Sequence, residues 1–424
     1  SNFGITFASE SLGNSDFKGG TFAITYSKVN NFNQQVIYEG LNRESFLADQ
    51  AFFDAEGILE HDLLLNEVES ENIVDLAGLA FSTYLLNPVF DLPGAGGNPS
   101  DTVYFNDAYT TVRFEPNYQK QKVTTSGGQR VWNFSYGANF NDRIYIGASI
   151  QLEGVRYERD RVYSEEAEEG IFELEDLEYS ENLQVNGQGI GLQLGAIARV
   201  NDYFRVGISF TTPTIYSITD RYQADLTVNY NDTQIISPFL FEGEEYTLDY
   251  DLPDGQQTLT DEISELETTY TLYTPYRASV GASIFLGKRG FITADLEYIG
   301  YSSMRFRNDE LQNTFESEND FVSDAYNNTV NFRAGAELRL KPIYLRAGVQ
   351  YFGNPNTEIS DLQGRNTNVS GGIGYRNSEF YVDFTVTAGF NEREESPYSG
   401  GDLTPVATVR ERARRGVLSF GFYF

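Results

Sequence analysis

Alternation with a period of two recurs along this chain, and it constrains the fold more than any other feature. Ile144, Ile146, Ala148, Ile150 and Leu152 alternate with Tyr145, Gly147, Ser149 and Gln151. The same pattern returns over 190–198, 332–340 and 380–388. Successive side chains of a strand point to opposite faces, so each run predicts a strand with one apolar and one polar face. No run reaches the ~18 consecutive apolar residues of a membrane-crossing helix. Two folds satisfy such a pattern. In a soluble sandwich the apolar face is the core, and in a membrane barrel it faces lipid.

The connections separate the two. Short polar pairs join consecutive runs at Asn30-Asn31, Asn141-Asp142, Asn201-Asp202, Lys288-Arg289, Lys341-Pro342 and Arg376-Asn377. These six turns join twelve strands, and one strand near Phe3 and one at the C-terminus bring the expected total to fourteen. The remaining connections are long, over 9–19, 41–110, 158–182, 220–268, 304–326, 353–367 and 391–409. Basic residues sit beside the short turns (Lys28, Arg143, Arg205, Lys288, Arg289, Lys341, Arg376), and acidic residues crowd the long loops. The expected fold is therefore all-β. It is a single transmembrane antiparallel β-barrel spanning 1–424, with about fourteen strands, short periplasmic turns and long extracellular loops carrying a few short helices. The 41–110 insertion supplies those helices. Leu47, Ala51, Ala55, Leu59 and Leu63 make one stripe, and Ile73, Ala77, Ala80 and Tyr84 a second, before Gly94, Gly96, Gly97 and Pro99 break the chain.

Composition narrows the function. The net charge of −32 excludes nucleic-acid binding. There is no cysteine, and the one histidine, His61, has only Asp62 beside it. No serine sits in a nucleophile elbow, so no enzyme, metal or cofactor is expected. Tyr 29, Phe 32 and Gly 39 with a mean hydropathy of −0.40 suit a bacterial outer-membrane barrel. No signal peptide is visible at Ser1, so the chain reads as mature or trimmed.

Four sets of residues are candidates for function. Mixed charges fall on inward positions, and Arg333, Glu337, Arg346 and Asp383 are expected to form a polar network in the lumen. Gly40, Pro213 and Pro275 mark possible wall openings, since a proline within a strand removes a ladder hydrogen bond. Phe46, Phe52, Phe53, Phe239, Leu240 and Phe241 cluster in the long loops as candidate ligand contacts. Phe420, Phe422 and Phe424 share one face of a final strand ending on an aromatic residue, which resembles a barrel-insertion signal. Expected partners are outer-membrane lipid and lipopolysaccharide, a hydrophobic ligand, the barrel assembly machinery, and other outer-membrane proteins if the chain serves within a complex.

Two stretches resemble a known group. They are Gly189-Ile-Gly-Leu-Gln-Leu-Gly-Ala-Ile-Ala-Arg199 with Tyr203-Phe-Arg-Val-Gly-Ile-Ser-Phe-Thr-Thr-Pro-Thr-Ile-Tyr216, and Thr274-Pro-Tyr-Arg-Ala-Ser-Val-Gly-Ala with Gly287-Lys-Arg-Gly-Phe-Ile-Thr-Ala-Asp-Leu-Glu-Tyr298. Together with the strand pair at Asn141-Asp142 they are similar to FadL-type long-chain fatty-acid transporters, in the Bacteroidetes-type branch often labelled hemin receptors. The resemblance implies fourteen strands, capture of a hydrophobic ligand by the outer loops, and lateral release at a distorted third strand, here 32–40. The family's N-terminal plug is expected to be missing from this chain. A FadL-like barrel acting as an accessory subunit of a secretion or assembly complex is the alternative.

Overall fold

The computed structural model describes residues 2–10, 16–55, 75–88, 109–111, 117–167, 174–241, 244–308, 315–356, 365–399 and 403–422. The strands are β1 (Asn2–Glu10), β2 (Phe17–Asn31), β3 (Gln34–Asn42), β4 (Leu86–Pro88), β5 (Tyr109–Thr111), β6 (Asn117–Phe140) and β7 (Ile144–Ala167). They continue as β8 (Leu174–Arg199), β9 (Phe204–Thr211), β10 (Ile215–Tyr230), β11 (Gln234–Phe241), β12 (Glu244–Asp251), β13 (Thr258–Tyr273) and β14 (Arg277–Phe285). The last are β15 (Gly290–Ile299), β16 (Arg305–Arg307), β17 (Thr329–Leu340), β18 (Ile343–Phe352), β19 (Arg365–Arg376), β20 (Phe380–Glu395) and β21 (Ala407–Phe422). Among the described residues three α-helices stand in the connections: α1 (Leu47–Ala55), α2 (Leu76–Ser82) and α3 (Glu316–Ala325).

Seventeen strands form one antiparallel sheet, and β4–β5 and β11–β12 are small separate hairpins. Several strands of the large sheet lie end to end along one neighbour. β2 and β3 both pair with β6, β9 and β10 both pair with β8, β14 and β13 follow β9 and β10, and β15 and β16 follow those. With four such pairs the seventeen strands make thirteen staves among the described residues, where fourteen was expected. The difference lies in the first hairpin. Asn30-Asn31 is not a turn, because β2 runs on into β3 along the same edge of β6. The 9–19 connection belongs with the short turns, since Asn141 N donates to Asp16 O at 2.8 Å. Lys28 accordingly lies near the middle of its stave, away from the short turns and opposite Arg130.

The other five expected turns are present. At Asn141 and Asp142 φ is +54° and +56°, the left-handed pair of a type I′ hairpin that asparagine and aspartate tolerate. Gly287 supplies φ +58° at another. All the long connections leave from the opposite end, as the alternation of ladders requires. The second and last staves meet there. Gln34 of β3 donates to Glu411 of β21, and Gln119 of β6 donates to the Tyr398 hydroxyl at 2.8 Å. Among the described residues no ladder joins β1 to β21.

Burial on this sheet is inverted near the turn end. Ile146 is 52% exposed, Leu296 48% and Leu338 45%, while Glu337 is 9% exposed and Ser149 is buried. Exposed apolar side chains cover 144–152 of β7, 190–197 of β8 and 343–351 of β18. These runs approach the ~9–11 residues with which a tilted strand crosses hydrocarbon. An apolar belt of this extent has no place in water, whereas it fits the lipid-facing band of a transmembrane barrel. Trp132 closes the band at its loop side, with Tyr26 at 5.0 Å and Phe3 at 5.5 Å between ring centroids. Aromatic rings of this kind settle at the membrane–water boundary.

Above the band the same strands continue and the burial returns to the ordinary sense. β7 has 24 residues, a length of about 80 Å at ~3.3 Å per residue, far more than a bilayer needs. On β8 the inward parity that carries Gly191 and Gly195 below carries Leu177 and Tyr179 above, both buried. Those residues form a core with Leu226 and Val228 of β10, Leu47, Ala51 and Ala55 of α1, and Ala77 and Ala80 of α2. The expected helical stripes thus pack inward. Leu59, Leu63, Ile73, His61 and the glycines near 94–97 lie outside the described residues.

Trp132 is the chain's one tryptophan, so its environment can be read directly. In bilayers its emission is expected to be blue-shifted and quenched by lipids brominated near the headgroup more than by lipids brominated near the chain end. Emission like that of tryptophan in water, with no quenching, would place this face outside the membrane.

Candidate functional site

The lower lumen has two unlike sides. Along one, small residues stand directly opposite one another through six consecutive staves: Thr21, Gly137, Gly147, Gly195, Ser209 and Ser279. Without long side chains this arc leaves a cavity of about 1100 Å³, into which Tyr145, Arg205, Phe285 and Asp295 project. The Arg205 guanidinium lies over the Phe285 ring at 4.5 Å.

The other side is filled by ion pairs. Glu337 accepts from Arg339 at 2.7 Å and from Arg346 at 2.8 Å. Arg346 also reaches Asp383 at 2.8 Å, and Asp383 takes Arg376 at 2.8 Å. Arg376 stacks over Tyr344 and Tyr381. Of the four residues expected in the network, Glu337, Arg346 and Asp383 come together. Arg333 pairs elsewhere, with Glu297 at 3.0 Å, where Asn331 also donates. Arg339 and Arg376 complete the chain of charges. Removing one member would leave a buried partner charge unpaired, so the network braces this half of the wall.

Above the band a second cavity of about 590 Å³ opens where β2 passes into β3. There Phe32 and Asn33 leave the ladder. Gly127 takes φ +110° opposite them, and Asn33 Oδ1 accepts from Gly127 N at 3.0 Å. A Cβ on Gly127 would stand 2.1 Å from the Arg156 carbonyl oxygen, so only glycine fits this bulge. Tyr38, Gln121, Arg159, Arg161 and Arg393 line the cavity. Four of their polar atoms are buried without a partner: the Tyr38 hydroxyl, Gln121 Oε1, Arg159 Nε and Arg161 Nε. Burial, with Glu395 adding and Arg161 opposing, pushes the Tyr38 hydroxyl up to about 12, so it stays a donor at neutral pH. Arg161 pairs with Glu181 at 3.0 Å, and Arg393 pairs with Glu395 and Glu411. Arg159 makes no ion pair among the described residues. Unmatched buried donors are costly until something accepts from them. Three of the four atoms are donors and Gln121 Oε1 is an acceptor, and Glu395 also lines the cavity, so it presents hydroxyl and guanidinium donors beside one carboxylate.

The cap over the lumen is pinned by one buried carboxylate. Glu165 accepts from Leu47 N at the start of α1 at 2.8 Å, from Gln119 at 3.2 Å and from the Tyr163 hydroxyl at 2.5 Å. Asn42, Ser45 and Gln119 then converge on the Tyr398 hydroxyl. Burial first, and the nearby Glu165 next, push Tyr163 well above the ordinary tyrosine range, so it too remains a donor. Among the described residues no group of three or more His, Cys, Asp or Glu could hold a metal.

The loop aromatics scatter. Phe46 is buried in the cap core, while Phe52 and Phe53 are partly exposed and touch edge to face at 5.9 Å. Phe239, Leu240 and Phe241 lie in the β11–β12 hairpin, and their side chains are outside the described residues. Gly40 sits inside β3, opposite Gln119 and beyond the break at Phe32 and Asn33. Pro213 and Pro275 do interrupt their staves, side by side. Threonines restore the lost bonds: Thr214 N donates to Thr274 Oγ1 at 2.9 Å, and Leu192 N donates to Thr212 Oγ1 at 3.1 Å. Phe420 and Phe422 face outward and are exposed, and Phe424 is outside the described residues. Sequence reading missed the second cavity, whose residues are far apart in the chain. Its one local signal is Arg159 and Arg161, two cations of like parity on one strand.

No protein-family profile matches the chain, and no curated protein matches it. Among solved structures it is similar to the CymD monoaromatic hydrocarbon channel at 16% identity, over 75% of this chain and 84% of that one, with a TM-score of 0.39. It is similar to a Pseudomonas aeruginosa FadL homologue at 13% identity, over 72% and 74%, with a TM-score of 0.44. It is also similar to the Ralstonia pickettii toluene transporter TbuX at 13% identity, over 100% and 88%, with a TM-score of 0.42. Identity and scores this low leave the function to be read from the chain's own side chains.

Replacing Gly127 with alanine is expected to destabilise the protein by about 1–3 kcal/mol through backbone strain. The check is the temperature at which the folded band converts to the unfolded one on a semi-native gel. Gly154→Ala is the control, since a Cβ there meets nothing within 4 Å. Equal midpoints for the two variants would mean that the bulge carries no strain.

Proposed function

We propose that this chain is an outer-membrane channel for hydrophobic small molecules that carry an acidic head, with long-chain fatty acids as the model substrate. The observation that carries the reading is the cavity beside the β2–β3 break, where the buried donors of Tyr38, Arg159 and Arg161 have no acceptor of their own. A carboxylate there would accept hydrogen bonds from guanidinium groups, which bind it more strongly than a neutral oxygen. The small-residue arc below offers space for an apolar chain. The loop aromatics Phe52 and Phe53 are the proposed point of capture. The side-by-side interruptions at Pro213 and Pro275, which lie within the band, are the proposed lateral exit, because each proline removes a donor from the ladder there.

Arg159→Gln is the informative variant, since Arg159 has no ion-pair partner among the described residues and its loss leaves no carboxylate stranded. In detergent it is expected to weaken palmitate binding at least tenfold, a difference of about 1.4 kcal/mol. Binding of toluene, which has no acidic head, is expected to stay within twofold. Unchanged palmitate affinity would reject the head-group assignment. Failure of the parent protein to bind either compound, together with a stoichiometric protein partner from native membranes, would replace transport with an accessory role in a complex.

A further inference from the structure

The chain carries 30 basic against 62 acidic residues, so a place where cations gather outward without acid partners needs a reason. One such place is the loop-side edge of the apolar band on β21. Directly opposed residues share a face of the sheet. By the ladders, Arg412 lies in one outward row with Phe390, Thr367, Tyr351 and Phe332, and three of those are exposed aromatic rings. Arg414 lies one step lower, in the row of Ala388, Val369 and Val349, at the level of lipid-facing valines. Both arginines are exposed, and neither has an ion pair among the described residues. Arg410, one step higher, is tied to Glu392 at 2.5 Å.

A second pair stands near the other edge of the sheet. Lys28 of β2 is opposite Arg130 of β6, in the outward row just above Tyr26 and Trp132. Gln34, which bonds to Glu411, stands six residues nearer the loop end of that stave than Lys28, so this second pair is a separate cluster below the contact. An arginine in a lipid-facing row is unfavourable unless its head reaches the boundary and finds an anion. Guanidinium groups bind phosphate in a two-pronged fashion. Water could solvate one such cation, but two neighbouring ones on the lipid face of an otherwise acidic molecule match a headgroup with more than one negative charge.

We infer that Arg412 and Arg414 form a binding site for a phosphorylated lipid headgroup in the leaflet at the loop end. The site lies on the outer wall and is separate from the lumen. It rests on the membrane placement of the band and not on the nature of the transported compound.

Diphosphoryl lipid A is the probe, with native mass spectrometry of the detergent-purified protein as the readout. The parent protein is expected to retain it, and the double variant Arg412→Ala, Arg414→Ala to bind it at least tenfold more weakly, with palmitate affinity unchanged. Lys288→Ala with Arg289→Ala, at the turn end, is expected to bind lipid A as the parent does. Equal retention by the β21 variant and the parent would overturn the site. Competition by millimolar inorganic phosphate alone would show a free-phosphate site and overturn the lipid assignment. Should the double variant fail to insert, the parent is compared on lipid A with and without its phosphates, and equal affinity for the two rejects the proposal. Loss of palmitate binding alone would touch only the transport reading.

Discussion

Every backbone N–H inside the apolar band must find its acceptor in the protein, because lipid offers none. This requirement ties the staves into unbroken ladders and sets where the wall can deviate. Pro213 and Pro275 both fall in the band, and each removes a donor. The molecule places the two interruptions side by side and lines them with threonine, so Thr274 and Thr212 hydroxyls accept from amides that the ladder leaves over. The larger departure, at Phe32 and Asn33, lies above the row of Trp132, where water can serve the freed groups. Its geometry still depends on one glycine with φ +110°.

A ladder that cannot slip also fixes the parity of every strand, and this explains the reversal of burial along β7, β8 and β10. Shifting register by one residue would turn each side chain to the other face. The strands leave the band without such a shift, so only composition can change. Small and polar residues face the lumen below, and leucine, valine and tyrosine face the cap core above. The upper half is then an ordinary hydrophobic core, closed by α1 and α2. Its most deeply buried carboxylate among the described residues, Glu165, sits at the start of α1, where the helix presents free N–H groups and favours negative charge.

The parts of this architecture that depend on neighbours in sequence were legible from the chain alone. Asn141-Asp142 and the other polar pairs mark hairpins because their side chains tolerate the backbone that a tight turn demands. The outward face of each stave follows from alternation, and so does the meeting of Glu337, Arg346 and Asp383. Asn30-Asn31 has the same local chemistry as a turn but lies in a straight stave. What distinguishes it is pairing with β6, nearly a hundred residues away, including the Asn30–Gln129 side-chain bond. The glycine pair Gly127-Gly128 was the available hint, since glycine inside a strand marks a bulge. The second cavity was beyond reach for the same reason: Tyr38, Gln121 and Arg159 meet only through the register of three staves.

Charge placement follows from the same frame. An acidic chain with few cations must use them where an anion is fixed. In the lower lumen Arg339, Arg346 and Arg376 answer Glu337 and Asp383, and the pairs exclude each other from further binding. Above the band Arg161 and Arg393 are also answered, by Glu181, Glu395 and Glu411, yet among the described residues Arg159 beside them is not. On the outer wall Arg410 is answered and, among the described residues, Arg412 and Arg414 are not. In both places a paired arginine stands next to unpaired ones in a partly desolvated setting, where an unanswered charge is least tolerable. The two sites differ in what can approach them: the lumen cavity is reached through the barrel, and the β21 ladder only from lipid. One surface chemistry, repeated on the two faces of the same wall, thus underlies both proposals, an acidic cargo on the inside and an acidic lipid on the outside.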